Sequence, residues 1–273
     1  MSPVRRVLLK VSGKLVQEPA LLDEFAHALR DLRETSQFVI VHGGGPAISA
    51  LLKRLGVQTS FVQGQRVTDE AVLEAAEMVL SGSMNKAIVA ALQRAGVKAA
   101  GLSGRDGDLI QVEPETAFGG ELGLVGRVKR VRAELLELLS GAGYVPVVSP
   151  ISSGPEKRAY NVNADWASAQ VAAGWKADAL LYFGDTDGVL RDGERVPLLT
   201  PALAEEMFRT GQAGSGMIPK IESAFWALDH GVGFARILRW EGPQGLSAAL
   251  SPDDLATGTL IRKREETANA TGD

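Results

Sequence analysis

The 273-residue chain contains no cysteine, which excludes disulfide bonds, thiolate metal sites and a cysteine nucleophile. It has only three histidines, His27, His42 and His230, which are too scattered along the chain to form a convincing metal site. We therefore expect no metal ion held by protein side chains. A chain without cysteine fits a reducing compartment, so we expect a cytoplasmic protein.

The chain also lacks an excess of positive charge and a long apolar run. Its formal net charge is -4, which gives no basic surface for a nucleic-acid backbone, so nucleic acid is not an expected partner. No stretch is long and apolar enough to cross a bilayer. Lys10 and Lys14 interrupt the first apolar run before it reaches the length of a signal-peptide core. We expect no membrane partner.

Apolar runs of strand length alternate with helical periodicity. Residues 7–9 and 38–41 form such runs, and helical patterns follow at about 20–34 and after Pro46. The alternation predicts βαβ units in a mostly parallel, buried sheet. Further strands are predicted at residues 99–102, 145–149, 180–183 and 235–238, and glycine-rich hairpins at 109–131 and 152–159. Without an internal repeat or a clear linker, residues 1–273 read as one domain with a polar tail at 263–273.

Helix starts can also be read from the sequence. Thr200 stands before Pro201, which predicts a capping hydroxyl followed by a proline at the first helical position. Thr68 stands before two acidic residues in the same way. Residues 72–80 and 84–92 each carry one apolar helix face, the second ending before Gly96.

Three glycine-rich turns directly follow predicted strands, at residues 10–13, 42–46 and 101–107. Glycine lets the backbone approach a ligand closely, and an adjacent helix start directs free N–H groups at an anion. In open α/β sheets such loops lie at the carboxyl edge, where ligands bind. Any one turn alone would be an ordinary tight connection, but the three together favour an anion site. The usual dinucleotide and P-loop motifs are absent.

A second cluster spans residues 160–165, where an extended segment leads into a helical pattern. Asn161 and Asn163 are two positions apart on that segment, so their amides point the same way and suit a polar ligand. Asp165 stands where a helix cap is expected. Spacing alone supports its role as a cap and a catalytic role equally.

Isolated charges complete the candidate set. Lys10 ends an apolar strand, where a charge is costly without a partner or ligand. Lys220 follows a glycine-containing segment and would by itself be read as a solvated helix residue. Arg66 could bind a carboxylate with both arms, although a lone loop arginine is more often a surface charge. His42 is interpreted as a residue that shapes its glycine turn, not as a base. Residues 185–188 resemble the start of a calcium loop but lack its later ligands, which excludes calcium binding.

Taken in order and spacing, these motifs resemble the amino-acid kinase family over about residues 7–261. Within that family, Arg-Val-Thr followed by Asn-Val-Asn-Ala-Asp is typical of the members that use ATP to phosphorylate the side-chain carboxylate of N-acetyl-L-glutamate in arginine biosynthesis. The resemblance implies a three-layer αβα sandwich around a mostly parallel open sheet. It also implies an N-terminal substrate lobe at 1–175 and a C-terminal ATP lobe at 176–262. The motifs that carry it are residues 10–13, 42–45, 64–68, 85–86, 101–107, 161–165 and 216–220.

The resemblance further implies a role for each matching residue. Lys10 and Lys220 would flank the transferred phosphoryl group, and Asp165 would orient both lysines. Phosphate would meet backbone N–H groups at Gly13 and Gly44. The substrate-binding residues would be Gly44, Gly45, Arg66, Asn161 and Asn163. The nucleotide-binding residues would be Asp185, Asp187, Gly188, Val189, Leu190, Gln212, Ala213 and Gly214. Mg²⁺ would be held mainly by the ATP phosphates and water.

Three residues depart from the family pattern. Ser12 replaces the first glycine of the lysine–glycine turn, Gly184 stands where a serine or threonine commonly precedes the nucleotide-loop aspartate, and Trp166 is bulky directly after Asp165. These departures concern loop geometry. None of them removes a lysine, Arg66 or an asparagine of the predicted site, so the expected activity stands.

Two alternatives remain. A sister kinase acts on 2-aminoadipate bound to an acidic carrier protein in lysine biosynthesis and has an Asn-x-Asp-Gly-Asp type of segment. The segment Asn-Val-Asn-Ala-Asp and the acidic net charge favour the free acetylated amino acid instead. The second alternative is a catalytically silent nucleotide-binding sensor on the same fold. Retention of Lys10, Asp165 and Lys220 together argues against it.

Little chain precedes the first predicted strand. Arginine-inhibited members of the family join dimers into a hexamer through an additional N-terminal helix. Met1 to Arg6 would form fewer than two helical turns at about 1.5 Å per residue, too short for a stable interlocking helix. We therefore expect a homodimer that arginine does not inhibit.

Overall fold

The computed structural model describes residues 5–62, 64–117, 122–214 and 216–263. The expectations for the first four residues, and for the polar tail beyond 263, lie outside the described residues. No helix in these ranges is long and apolar enough to span a membrane.

The strands match the predicted apolar runs and add several short ones. They are β1 Arg5–Val11, β2 Ser36–His42, β3 Phe61–Val62, β4 Gln65–Arg66, β5 Ala99–Gly104, β6 Ile110–Pro114, β7 Gly126–Val131, β8 Val145–Ser153, β9 Ala159–Asn161, β10 Ala179–Gly184, β11 Leu190–Arg191, β12 Glu194–Arg195, β13 Leu198–Leu199, β14 Phe234–Arg239 and β15 Thr259–Ile261.

The helices follow the strands in the predicted alternation. They are α1 Gly13–Gln17, α2 Pro19–Leu32, α3 Gly45–Leu55, α4 Glu70–Glu77, α5 Asn85–Arg94, α6 Glu134–Gly141, α7 Ala164–Gly174, α8 Pro201–Arg209, α9 Ile218–Asp229 and α10 Pro243–Ala249. A π-helix at Met78–Met84 joins α4 to α5. The two predicted helix faces at 72–80 and 84–92 therefore belong to one continuous helical segment.

An eleven-stranded sheet forms the centre of the described chain, with β1 between β2 and β10. The pairings of β1 with both neighbours, β10 with β14, and β8 with β2 and β5 are all parallel. The predicted hairpins are present as antiparallel pairs, β6 with β7 and β8 with β9. This is the mostly parallel sheet that the sequence predicts.

Adjacent residues of β10 show that helices cover both faces of the sheet. The ring of Phe183 meets Phe25 of α2 edge to face at 5.6 Å. The hydroxyl of Tyr182 hydrogen-bonds Ser223 of α9 at 2.8 Å. Successive strand side chains point to opposite faces, so α2 and α9 lie on opposite sides of the sheet. The predicted three-layer sandwich is confirmed.

The structure corrects one expectation about helix caps and decides one open question. Asp69, not Thr68, caps α4 by accepting from the Val72 N–H, while Thr68 is fully buried. Of the two roles left open for Asp165, the cap is excluded, because Asn163 caps α7. Both outcomes have one cause, because the cap is the last residue whose backbone is still extended when the helix starts. By contrast, Thr200 caps α8 as predicted.

Candidate functional site

A cleft of about 320 Å³ lies where β1 and β2 end and where α1, α3 and α7 begin. The carboxyl ends of parallel strands therefore meet at one edge, as predicted. Two of the three glycine turns, at 10–13 and 42–46, contribute to the cleft, whereas none of residues 101–107 is among its lining residues. Of the residues predicted for function, those that line the cleft are Lys10, Gly13, Gly44, Gly45, Arg66, Asn161, Asn163, Asp165 and Asp185.

One carboxylate binds two lysines that are far apart in the sequence. Lys10 Nζ lies 2.8 Å from Asp165 Oδ1, and Lys220 Nζ lies 2.9 Å from Asp165 Oδ2. Lys10 comes from the end of β1, Asp165 from the first turn of α7 and Lys220 from the first turn of α9. The structure thus brings together the three residues predicted as catalytic.

The protonation state of Asp165 follows from this geometry. Burial alone would raise the pKa of the carboxyl, but the charges and hydrogen bonds of Lys10 and Lys220 outweigh burial and hold the pKa below its usual value. Asp165 is therefore ionised at neutral pH. Its single negative charge is shared by two positive charges, which leaves the cluster cationic.

The start of α7 explains why Asp165 is free to bind lysines. The side-chain oxygen of Asn163 accepts from the N–H of Asp165 at 2.9 Å and of Trp166 at 3.3 Å. Because Asn163 satisfies these helix donors, the carboxylate of Asp165 is not needed as a cap. Of the two roles that spacing left open for Asp165, the structure excludes the cap, and the catalytic role stays a prediction.

Glycine is required at two positions beside the cluster, where two turns touch. A Cβ on Gly13 would lie 2.9 Å from the Gly44 Cα, and one on Gly44 would lie 2.4 Å from Met84 Sδ. The starts of α1 and α3 therefore approach each other closely. The first N–H groups of a helix have no partner within the helix, so both starts offer donors to an anion in the cleft.

Arg66 is held under the cleft by neutral groups. Its guanidinium donates to Thr59 Oγ1 at 2.9 Å, Ser49 Oγ at 2.8 Å and the Gly45 carbonyl at 3.1 Å. Burial lowers the pKa of Arg66, which nevertheless stays charged at neutral pH. Among the described residues, no carboxylate pairs with this arginine. Its charge is therefore available to an anionic ligand.

Phe61 is a site residue that the sequence interpretation missed. Its ring lies 4.7 Å from the Arg66 guanidinium carbon, across the short β3–β4 hairpin, and lines the cleft while 55% exposed. A cation over an aromatic face is a favourable contact. The sequence did contain a signal for Phe61, because it is an aromatic residue in an otherwise polar, turn-rich segment, five positions before Arg66.

Asn161 lines the cleft, and its amide reaches Thr68. Its Nδ2 donates to Thr68 Oγ1 at 3.4 Å. This hydrogen bond is long, so the Asn161 amide can also bind another partner. Asn163 also lines the cleft, but its side-chain oxygen already caps α7. If both amides bind one ligand, as predicted, Asn163 can therefore contribute only its amino group, because its oxygen is used by the cap.

His42 is fully buried beneath the turn, and burial lowers its pKa to about 4. The ring contacts the Gly43 carbonyl through Nδ1 at 3.1 Å and the Asn85 amide through Nε2 at 3.4 Å. Asn85 in turn donates to the Val147 carbonyl at 2.9 Å. A neutral ring with these contacts shapes the glycine turn, which agrees with the interpretation of His42 as a structural residue.

The residues predicted to bind nucleotide lie beyond the cleft, with Asp185 at its rim. Gln212 donates to both carboxylate oxygens of Asp192 at 3.0 and 3.1 Å. Val189 is 1% exposed, and its N–H and carbonyl bond to Thr259 Oγ1 and the Val196 N–H. Val189 therefore anchors this segment from inside. The other residues predicted to bind nucleotide are Asp187, Gly188, Leu190, Ala213 and Gly214.

The three departures from the family pattern fit the structure without disrupting it. Ser12 caps α1 by accepting from the Leu15 N–H at 3.4 Å. Trp166 packs edge to face against Trp226 of α9, with ring centroids 6.5 Å apart. A Cβ at Gly184 would meet no atom within 4 Å, so a larger residue would also fit there. The predicted catalytic groups are unaffected.

Comparison with known proteins gives a consistent result. The model of the amino acid kinase family matches residues 5–239. The acetylglutamate kinase of Rubrobacter xylanophilus is 45% identical over 260 residues, which cover 95% of this chain and 98% of that protein. The acetylglutamate kinase of Bacillus licheniformis is 40% identical over 262 residues, with coverage of 96% and 98%.

A solved structure shares the fold. The N-acetylglutamate synthase of Neisseria gonorrhoeae, complexed with coenzyme A and N-acetyl-glutamate, superposes with a TM-score of 0.81 and 25% identity. The match covers 95% of this chain and 60% of the synthase, so this chain spans less than two thirds of that protein.

Proposed function

The chain belongs to the amino acid kinase family, and we propose that it transfers the γ-phosphate of ATP to the γ-carboxylate of N-acetyl-L-glutamate. The products are ADP and an acyl phosphate, which places the enzyme in arginine biosynthesis. The observation that carries this proposal is the Lys10–Asp165–Lys220 cluster beside two helix starts.

The cluster suits phosphoryl transfer because the transition state is loose and strongly anionic. Two lysines held on one carboxylate keep their positions before the reaction, so their charges need no reorganisation when negative charge moves between oxygens. The N–H groups at the starts of α1 and α3, near Gly13 and Gly44, add donors to the same region. The site supplies positioned positive charge on several sides of one phosphoryl group.

The acceptor needs no general base. A glutamate side chain has a reference pKa of about 4.3, so it is already ionised at neutral pH. The buried His42, with a pKa of about 4, is not needed to accept a proton. In this proposal Arg66 and Asn161 hold the α-carboxylate of the substrate, away from the reacting oxygen.

We propose two lobes, a substrate lobe at 1–175 and an ATP lobe at 176–262. Lys10, Arg66 and Asp165 belong to the first, and Lys220 belongs to the second. Among the described residues, no group of three or more acidic or histidine side chains is placed to hold a metal ion. We propose that Mg²⁺ is carried mainly by the ATP phosphates and water, where it would offset phosphate charge.

An ADP-release assay coupled to NADH oxidation tests the substrate. N-acetylglutamate, free 2-aminoadipate and carrier-bound 2-aminoadipate would each be supplied with ATP and Mg²⁺. We expect turnover with N-acetylglutamate at least about tenfold above either alternative in kcat/KM, because a site built for one carboxylate position discriminates strongly. A preference for the carrier-bound substrate would assign the sister reaction, and no turnover with any substrate would indicate a silent sensor.

The proposal extends to assembly and location. We propose a cytoplasmic homodimer, because two-fold symmetry is the commonest arrangement of soluble oligomers. Exposed apolar side chains, of which Leu138 is 68% exposed, are of the kind that self-association covers. Light scattering at working concentration, with and without arginine, gives the mass. A monomeric or hexameric mass would contradict the proposed dimer.

A further inference from the structure

A buried pair of hydroxyl groups lies behind Lys220, and neither belongs to the site described above. Tyr182 in β10 and Ser223 in α9 are both fully buried. Their oxygens are 2.8 Å apart, and Ser223 Oγ also donates to the Lys220 carbonyl at 3.1 Å. A serine hydroxyl has one hydrogen to give. Tyr182 is therefore the donor to Ser223, and a chain of two hydrogen bonds runs from the sheet to the backbone of Lys220.

The first turn of α9 has no side-chain cap from Met217 at its N-cap position. The described hydrogen bonds at this turn are local: the N–H groups of Met217 and Ile218 donate to the Gly214 carbonyl at 2.8 and 3.3 Å, and Lys220 Nζ donates to the Gly216 carbonyl at 3.4 Å. None of these bonds reaches the sheet, yet the turn carries the lysine whose Nζ lies 2.9 Å from Asp165.

Tyr182 is well placed to determine where this turn lies. In the sheet it stands directly beside Lys10 on the neighbouring strand, so both side chains leave the same face. Burial raises the pKa of Tyr182 well above its usual value, and the nearby negative charge of Asp165 raises it further against the opposing effect of Ser223. The phenol therefore remains a protonated donor throughout the physiological range.

We propose that Tyr182 and Ser223 are positioning residues that hold the first turn of α9 so that Lys220 meets the phosphoryl group beside Lys10. The proposal rests on the proposed kinase function. It assigns a role to two residues that do not line the cleft. Small errors in the placement of a catalytic group cost rate, because the reacting geometry is narrow.

Three variants test the proposal: Tyr182→Phe, Ser223→Ala and the double variant. Each should lower kcat by about tenfold, with KM for both substrates changed by less than about twofold, since the binding groups stay in place. The losses should not add, because both residues act through one chain of hydrogen bonds. Tyr144→Phe, which removes a partly exposed hydroxyl, is the matched control and should keep full activity.

Thermal unfolding separates positioning from stability. Ser223→Ala leaves the buried Tyr182 hydroxyl without its acceptor and should lower Tm most. The double variant removes both partners and should recover most of that loss. If kcat recovers together with Tm in the double variant, or if Tyr182→Phe keeps wild-type kcat, the proposal is wrong.

A measurement that does not need turnover distinguishes this proposal from the choice of substrate. Acetylation of lysines by a soluble reagent, followed by mass spectrometry, reports how firmly Lys220 is held. In Tyr182→Phe, Lys220 should react about threefold or more faster relative to the exposed Lys53, because a loosened turn weakens its ion pair. Unchanged labelling would overturn the positioning role, whereas an inactive wild type with this labelling change would refute only the proposed substrate.

Discussion

Replacing Lys220 with methionine tests whether the cluster acts in the transition state. The substitution removes one charge but leaves Asp165 paired with Lys10 at 2.8 Å, so no buried carboxylate is left unpaired and the fold should survive. Methionine keeps the length of the apolar stem. The loss of one positioned donor should lower kcat by about 10² to 10³, or about 2.7 to 4 kcal/mol of barrier.

The binding constants should change far less than the rate. Arg66 and Asn161 come from other elements and would still hold the amino-acid substrate, so its KM should stay within about threefold. Steady-state ADP release at saturating and limiting concentrations of each substrate gives both constants. Lys53→Met, at an exposed position in the last turn of α3, is the control and should match the wild type. A large rise in KM with kcat intact would refute the transition-state role.

Other predictions concern binding, stability and pH. Arg66→Lys and Asn161→Ala should each raise KM for N-acetylglutamate about tenfold with ATP affinity retained, because neither replacement can form the original hydrogen bonds. Calorimetry that shows ATP binding lost and N-acetylglutamate binding unchanged would contradict the lobe assignment. Asp165→Ala should cost about 3 to 5 kcal/mol in urea unfolding, since two lysines lose their partner. The His42 pKa of about 4, against 6.5 for the unfolded chain, means that the unfolded chain binds protons first as pH falls. The contribution of His42 to the unfolding free energy should therefore drop by on the order of 3 kcal/mol from pH 7 to 4, so that urea unfolding of His42→Gln should lose correspondingly less stability than the wild type over this range.

Much of the framework could be read from the sequence because it depends on local patterns. Apolar runs of strand length gave β1, β2, β5, β8, β10 and β14, since a strand buried on both faces has to be apolar throughout. The glycine turns and the unusual Lys10 placed the site at the ends of these strands. A charge at the end of a buried strand requires a partner wherever the rest of the chain lies.

The identities of the caps depended on backbone direction that composition does not reveal. Asn163 and Asp165 are both good capping residues by type. Only the path of the chain into α7 decided that Asn163 accepts from the helix N–H groups and that Asp165 faces the lysines. The same applies to Thr68 and Asp69 at the start of α4.

The contacts that give the site its chemistry were decided by tertiary structure. Asp165 and Lys220 meet although they are 55 positions apart, and Tyr182 reaches Ser223 across 41 positions. The sequence by itself determined which residues carry charge, which segments pair and where the backbone turns closely. Which carboxylate binds two lysines, and which hydroxyl holds the lysine-bearing turn, depend on how α7 and α9 pack on one face of the sheet, because a side-chain hydrogen bond forms only within about 3 Å.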